Sequence, residues 1–142
     1  MKTPFLIGRL LFGGFFLYNG INHFKQRKSL AQYAKAKNVP APDVAVTATG
    51  AALVFGGTSL LLGVKPKMGA IAIAGFLAGV SPVMHDFWKQ QDPQQRQVEM
   101  IQFAKNLALL GGTFALIGIE EPWPVSLPIA QPDRGSEAKL AA

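Results

Sequence analysis

The 142-residue sequence contains no cysteine and few charged residues. Without a thiol, the chain has no disulfide, no thiolate metal ligand and no thiol–disulfide chemistry of its own. Only 15% of its residues are charged, whereas soluble domains average about 25%. So low a charge content is typical of a protein whose surface faces lipid.

Four apolar stretches account for most of the chain. Each is about as long as the ~20 helical residues that cross a ~30 Å hydrocarbon core. The second stretch carries no charge, so it offers no polar face to water. The fifteen glycines are typical of membrane helices that approach one another closely. The sequence predicts an all-α integral membrane four-helix bundle in one domain, residues 1–119, with spans at 4–24, 44–64, 68–88 and 100–119.

Residues 120–142 are predicted to form a proline-rich tail outside the bundle. Proline fixes φ and removes a backbone donor, so the four prolines of this tail exclude both helix and strand. Trp123 is expected to anchor the start of the tail at the membrane interface.

The loop between the first two spans is basic and has a helical pattern. Leu30, Tyr33, Ala34 and Lys37 repeat at helical spacing, Ser29 is a suitable N-cap, and Asn38 and Pro40 follow as stop signals. Lysines that snorkel and a tyrosine at headgroup level predict a short interfacial helix. The alternative is an exposed structured loop. The basic cluster explains the net charge of +6, so membrane lipid is expected as a partner and nucleic acid is not.

The distribution of basic residues predicts the orientation in the membrane. An even number of spans puts both termini on one side. The loops at 25–43 and 89–99 lie on the other side and hold seven Lys and Arg residues. The positive-inside rule therefore places these loops in the cytoplasm and both termini outside, in a multi-pass protein of the cell inner (plasma) membrane.

Polar side chains from three spans are predicted to meet at one depth in the inner leaflet. The first and third spans end there and the fourth begins there, so their polar residues converge. Polar groups at this depth need a partner or a function, so six of them are candidates to bind a small ligand, and Asp86 and Glu99 can relay protons. The six binding candidates are Asn19, His23, His85, Asp86, Lys105 and Asn106.

Structural explanations of the same residues stay open. Lys105 could pair with Asp86 or Glu99 to hold the bundle together, and His23 and His85 could be partly hydrated histidines near the interface. A metal site is not predicted, because adjacent residues such as His85 and Asp86 point about 100° apart on a helix.

Arg9 lies near the opposite surface of the membrane. Glu120 and Glu121 follow the last span and can reach back to it, so either a structural ion pair or snorkelling of Arg9 to the interface is expected. Arg9 also begins a stripe on the first span that steps by four, three, four and three residues through Gly13, Phe16, Gly20 and His23. The glycines of this stripe would let a partner helix approach.

Several motifs together resemble the DoxX family of small four-helix membrane proteins, over roughly residues 5–118. They are GRLLFGGFFLYNGINHF in the first span, YAKAKNVPAP before the second, HDFW at the end of the third and FAKNLALLGG in the fourth. The resemblance implies a four-helix bundle with Arg9, Lys105 and Asn106 at family-typical positions. It also implies an association with membrane redox, since relatives resemble the membrane subunit of thiosulfate:quinone oxidoreductase.

Two functions follow from these residues and from the resemblance. The first is a quinone-linked membrane oxidoreductase subunit, in which His23, His85, Lys105 and Asn106 would donate hydrogen bonds to the quinone carbonyls. The alternative is a non-catalytic accessory or scaffold subunit, bound to another membrane protein or to a second copy of itself. No residue is assigned as catalytic. A transporter is a weaker third candidate, because four spans are few for a substrate path.

Overall fold

The computed structural model describes residues 2–128 and is helical throughout, without a strand in that range. Four helices are long and apolar enough to cross a membrane. The third of these candidate spans includes the short 3₁₀ turn that follows its helix. The predicted all-α integral membrane protein with four spans is therefore confirmed. The elements are α1 (Lys2–Lys25), α2 (Arg27–Ala36), α3 (Pro42–Leu62), α4 (Pro66–Met84), a 3₁₀ turn (Phe87–Lys89) and α5 (Pro93–Ile117).

The bounds of the last two long helices differ from the predicted spans. Helix α4 ends at Met84, so His85 and Asp86 follow the α-helix, and the candidate span continues through the 3₁₀ turn to Lys89. Helix α5 begins at Pro93, seven residues before the predicted start at residue 100. The side chain of Asp92 accepts a hydrogen bond from the amide of Gln95 at 2.8 Å, and proline is well suited to the first helical position. The polar residues after Asp92 therefore continue the helix.

The predicted helix in the first loop is present as α2, but Ser29 does not cap it. The helix begins at Arg27, and Gln26 precedes it without a side-chain cap. Ala31 and Ala34 on its inner face are buried with Val46 of α3. The predicted place of α2 at the membrane surface stays a prediction.

Glycine contacts bring α1 and α3 very close together. A Cβ added at Gly57 would collide with the backbone of Leu17, and one added at Gly20 would lie 2.6 Å from the amide nitrogen of Val54. The predicted stripe on α1 is the face that makes these contacts, because Arg9, Gly13, Phe16 and Gly20 are all buried. Without these glycines the two backbones could not approach to this distance.

The main core lies where α3 and α4 meet α1. Helix α1 packs against α3, α3 against α4, and α4 against α5. The buried side chains of this core are Phe16, Leu53, Leu60, Ala70, Ile73, Leu77 and Trp123.

Residues 118–128 are irregular and fold back onto the bundle. Trp123 is only 2% exposed, and its ring meets Phe5 edge-on at a centroid distance of 5.2 Å. Trp123 thus packs inside the protein, and the expected anchor in the headgroup layer is not observed. The amide of Leu127 donates to the carbonyl of Leu62 at 3.0 Å. The rest of the predicted tail, residues 129–142, lies outside the described residues.

Candidate functional site

His85 and Glu99 form a direct contact between the end of α4 and the first turns of α5. The Nδ1 atom of His85 lies 2.8 Å from Oε2 of Glu99, and the Oε1 atom of Glu99 accepts a hydrogen bond from Gln95 at 3.0 Å. Glu99 is only 5% exposed. The structure therefore brings together two residues that the sequence placed at the same depth.

Asp86 is held by α2 instead of by the fourth span. Its Oδ1 atom accepts hydrogen bonds from Nζ of Lys37 at 2.6 Å and from the amide group of Gln90 at 3.2 Å. Nζ of Lys89 lies 3.5 Å from the other oxygen. Asp86 is buried, so these cations provide the countercharge that a buried carboxylate needs. The predicted pairing of Lys105 with Asp86 or Glu99 is not observed.

The charges around Lys37 and Tyr33 change the pKa of both side chains. Burial acts to lower the pKa of Lys37, but the hydrogen bond to Asp86 and nearby negative charges outweigh burial and raise the pKa above the usual 10.5. Burial raises the pKa of Tyr33, and the charges of Glu99 and Asp86 raise it further against the effect of Lys37. The Nζ atom of Lys37 lies 5.9 Å from the centroid of the Tyr33 ring.

The structure adds Lys37, Tyr33, Gln90 and Gln95 to the predicted residues His85, Asp86 and Glu99. These seven residues are called the inner polar cluster, after the side of the membrane predicted for them. The helical stripe in the first loop contained a signal for Lys37 and Tyr33. That stripe predicted their shared face but not the element against which the face packs, since α2 is separated from the end of α4 by almost fifty residues of chain.

His23 lines a cavity of about 240 Å³ that is otherwise almost entirely apolar. The cavity lies between the end of α1, helix α2, the start of α3 and one face of α4. Among its lining residues, His23 is the single titratable side chain. Gly75 and Gly79 of α4 also line it, and both are exposed. The other lining residues are Leu30, Ala34, Val39, Ala45, Val46, Thr49, Phe76, Val80, Val83 and Met84.

The ring of His23 is held by two contacts. Its Nδ1 atom lies 2.8 Å from the backbone oxygen of Asn19, and Phe76 meets the ring edge-on at a centroid distance of 5.8 Å. The cavity ends at Val83 and Met84, directly before His85 in the chain. The cavity and the inner polar cluster are therefore neighbours along α4.

The other predicted ligand-binding residues do not line this cavity. The side chain of Asn19 donates to the backbone oxygen of Phe15 at 2.8 Å. Lys105 is exposed on α5 and donates to Gln102 at 2.5 Å. Asn106 is buried on the face of α5 that also carries Glu99 and Thr113.

At the opposite end of the bundle, Arg9 binds backbone oxygens and not the expected carboxylates. Its guanidinium donates to the carbonyls of Pro124 at 2.7 Å, Val125 at 2.8 Å and Leu61 at 3.3 Å. Glu121 accepts a hydrogen bond from the amide of Lys67 at 3.0 Å, and Glu120 is exposed. Arg9 thus joins α1 to α3 and to the C-terminal segment by carbonyl contacts.

Within the described part of the chain, no group of three or more His, Cys, Asp or Glu residues could hold a metal ion.

Comparison with known proteins identifies one family. A family model described as DoxX matches residues 5–86, which is more than half of the 142 residues and runs from α1 to the end of α4. The FAKNLALLGG motif of α5 lies outside this match. No curated protein and no solved structure matches the chain.

Proposed function

The chain belongs to the DoxX family, and we propose that it is the membrane subunit of a quinone-linked redox system that binds quinone in the cavity beside His23. The cavity is the observation that carries this proposal. A cavity of about 150 Å³ already accepts benzene, so 240 Å³ is enough for a substituted six-membered ring. Apolar walls with few polar groups are typical of small-molecule sites.

The mouth of the cavity suits a ligand with an isoprenoid tail. Gly75 and Gly79 line the cavity and are exposed, and a Cβ added at either position would meet no atom within 4 Å. A tail could therefore leave between these glycines and enter the surrounding lipid, while the ring stays beside His23.

The inner polar cluster supplies the proton route in this proposal. His85 follows the cavity along α4 and shares a hydrogen bond of 2.8 Å with Glu99 of α5. Asp86 continues the route toward Lys37, the C-cap residue of α2. A carboxylate and an imidazole in contact can pass a proton between them. Lys105 and Asn106 lie on α5 away from the cavity lining, so we assign the ring-binding role to His23 and not to them.

The orientation proposed for the protein follows from its basic loops. The segment that contains α2 and the turn before α5 face the cytoplasm, and both termini lie outside, in a cell inner membrane. Seven Lys and Arg residues in the two loops support this orientation.

Mass spectrometry of lipids that co-purify with the protein in mild detergent tests quinone binding. We expect about one quinone per wild-type chain, with the oxidised and reduced forms counted together. Gly79→Leu should abolish it, because the new side chain would extend into the mouth of the cavity from a position where an added Cβ meets no atom within 4 Å. Gly111→Leu is the matched control on α5, where a Cβ also meets no atom within 4 Å. Equal quinone in both folded variants would refute the proposal.

The exposed surface of α5 supports the alternative function, an accessory subunit. Only 11% of the residues in the most apolar stretch of α5 are buried, compared with 39% for α3. Ala108 and Ala115 are exposed on this helix, together with Lys105. Small residues such as these two alanines let a second helix approach.

Purification of the protein in mild detergent, with any bound partner, distinguishes the accessory role from the quinone-binding role. An accessory subunit should retain a stoichiometric membrane partner, and Ala108→Phe should release it. Ala78→Phe is the control, since Ala78 is also exposed but lies on α4. A wild-type chain that purifies alone would contradict the accessory role.

A further inference from the structure

The polar side chains that line the cavity accept hydrogen bonds but have no free hydrogen to donate. Two polar side chains contribute to the lining, the imidazole of His23 and the hydroxyl of Thr49. The hydrogen of each is directed at a backbone oxygen. Because the lining offers acceptors and no donor, only a ligand with a hydrogen to donate can pair with these polar groups.

The backbone contact of His23 decides which ring nitrogen carries the hydrogen. Nδ1 lies 2.8 Å from the carbonyl oxygen of Asn19, and a carbonyl can only accept, so Nδ1 is the donor. In the neutral ring Nε2 then carries a lone pair. Among the residues that the structure describes, Nε2 has no hydrogen-bond partner. His23 therefore offers the cavity an acceptor.

Thr49 also offers the cavity an acceptor, because its hydroxyl hydrogen is bound to the backbone. Its Oγ1 atom lies 2.7 Å from the carbonyl oxygen of Ala45 and 3.1 Å from that of Val46. A threonine hydroxyl has one hydrogen, and both neighbours are acceptors, so that hydrogen is committed to the backbone. The two lone pairs of Oγ1 remain available as acceptors.

The backbone adds no donor to the lining. All but one of the lining residues lie within α1 to α4, where amides beyond the first turn are bonded within their own helix. The exception is Val39, whose amide donates to the carbonyl of Ala34 at 3.0 Å.

We propose that the cavity selects a lipid-soluble ligand that brings its own hydroxyl hydrogen, so that it takes a hydroquinone or a related phenol in preference to the quinone. A hydroxyl pairs with Nε2 of His23 or with Oγ1 of Thr49. A quinone presents only carbonyl acceptors and leaves these atoms unpaired in an apolar cavity, which is unfavourable. The inference rests on the proposed function for the identity of the ring, and it names the oxidation state that this site holds.

The test uses two pairs of probes, and in each pair one member carries a hydroxyl donor that the other lacks. Decylhydroquinone and decylbenzoquinone form the redox pair, and 4-decylphenol and 4-decylanisole form a pair without redox chemistry. Equilibrium dialysis against the purified full chain in mild detergent gives the four affinities. We expect the hydroquinone and the phenol to bind about tenfold more tightly than their partners, the factor that one hydrogen bond supplies.

Variants of the two acceptors assign the preference to this cavity. His23→Phe keeps an aromatic ring against Phe76 but removes Nε2, so the tenfold preference should disappear. Thr49→Val removes Oγ1 at constant shape and should reduce the preference by a smaller factor. A preference that survives in the folded double variant would overturn the inference.

The probe pairs separate this inference from the proposed function. Equal binding of quinone and hydroquinone, or tighter binding of quinone, overturns donor selection and leaves quinone binding intact. Phenol that binds more tightly than anisole while both quinone forms fail to bind supports donor selection and overturns the proposed function. Failure of all four probes overturns both.

Discussion

Oε2 of Glu99 lies 2.8 Å from Nδ1 of His85, and this contact joins α5 to the end of α4. The second oxygen of Glu99 binds Gln95, so both carboxylate oxygens are paired although the residue is buried. The 3₁₀ turn adds an aromatic contact at the same junction, with the rings of Phe87 and Phe103 5.5 Å apart. A buried polar group whose hydrogen bonds are all made fixes the register of the two helices, whether or not it also takes part in chemistry.

Removal of the imidazole should weaken this junction. His85→Ala leaves Glu99 buried with one partner, so we expect the free energy of unfolding to fall by about 2 kcal/mol. Unfolding in a mixture of mild detergent and dodecyl sulfate measures the change. Gln91→Ala, an exposed position nearby, should leave stability within about 0.5 kcal/mol. A His85→Ala protein as stable as the control would show that the contact contributes nothing.

The Lys37–Asp86 pair should make stability depend on alkaline pH. Since the pKa of Lys37 is raised above 10.5 in the folded protein, the folded state holds the lysine proton more tightly than the unfolded state. The contribution of Lys37 is therefore complete below about pH 10.5 and is lost as the pH rises through the folded-state pKa.

Lys37→Met isolates this effect. The variant should be less stable than the wild type by about 2 kcal/mol at pH 8, and the difference should shrink toward pH 12. The exposed lysine Lys35 provides a control as Lys35→Met, for which we expect no such pH-dependent difference. A constant gap between wild type and Lys37→Met across this range would contradict the assigned pair.

Arg9 should hold the C-terminal segment against the bundle. Arg9→Met removes the hydrogen bonds to the carbonyls of Pro124, Val125 and Leu61. We expect the Leu127 amide, which donates to Leu62, to exchange its hydrogen at least about tenfold faster. Arg27→Met is the control, because Arg27 is exposed and lies 3.6 Å from Asp43. Unchanged exchange at Leu127 would show that the hydrogen bonds of Arg9 do not hold the segment.

The contact between α1 and α3 should not tolerate a methyl group at Gly57. The new Cβ would collide with the backbone of Leu17, so Gly57→Ala should destabilise the protein by about 2 kcal/mol or more. Gly111→Ala adds the same methyl group where no atom lies within 4 Å, and it should be neutral or stabilise the helix by up to about 1 kcal/mol. Equal stability of the two variants would refute the close α1–α3 contact.

The absence of native cysteine permits a clean test of orientation. A single cysteine at Gln91, in the turn before α5, should react with a membrane-impermeant thiol reagent only after the cytoplasmic side is opened. A single cysteine at Glu120 should react in intact cells. The reverse pattern would invert the proposed orientation, and both positions are exposed in the structure.

Several features of the fold could be predicted because they depend on local physical rules. Mean apolarity over about 20 residues predicts a span without knowledge of its neighbours. The buried stripe of α1 from Arg9 to Gly20 follows from the helical repeat alone. The end of α4 and the start of α5 are harder to predict, because polar residues near the interface allow either a helix or a turn. At the start of α5 the cap contact of Asp92 decides between the two.

The site was only partly predictable, because its residues come together through tertiary packing. The shared depth of His85 and Glu99 was visible in the spacing of the spans. The contact of Lys37 with Asp86 was not, since it depends on α2 folding back over the end of α4. Exposure of Lys105 on the outer side of α5 likewise depends on the rotation of that helix in the bundle.

By itself the sequence determined the membrane class, the number of spans and the family resemblance, because length, apolarity and motif are properties of the chain. Only the tertiary structure decided that His23 lines a cavity, that Asp86 pairs with α2 and that Arg9 binds carbonyl oxygens. The physical reason is that a hydrogen bond acts over about 3 Å, and such distances between separate helices are set by glycine contacts and side-chain packing.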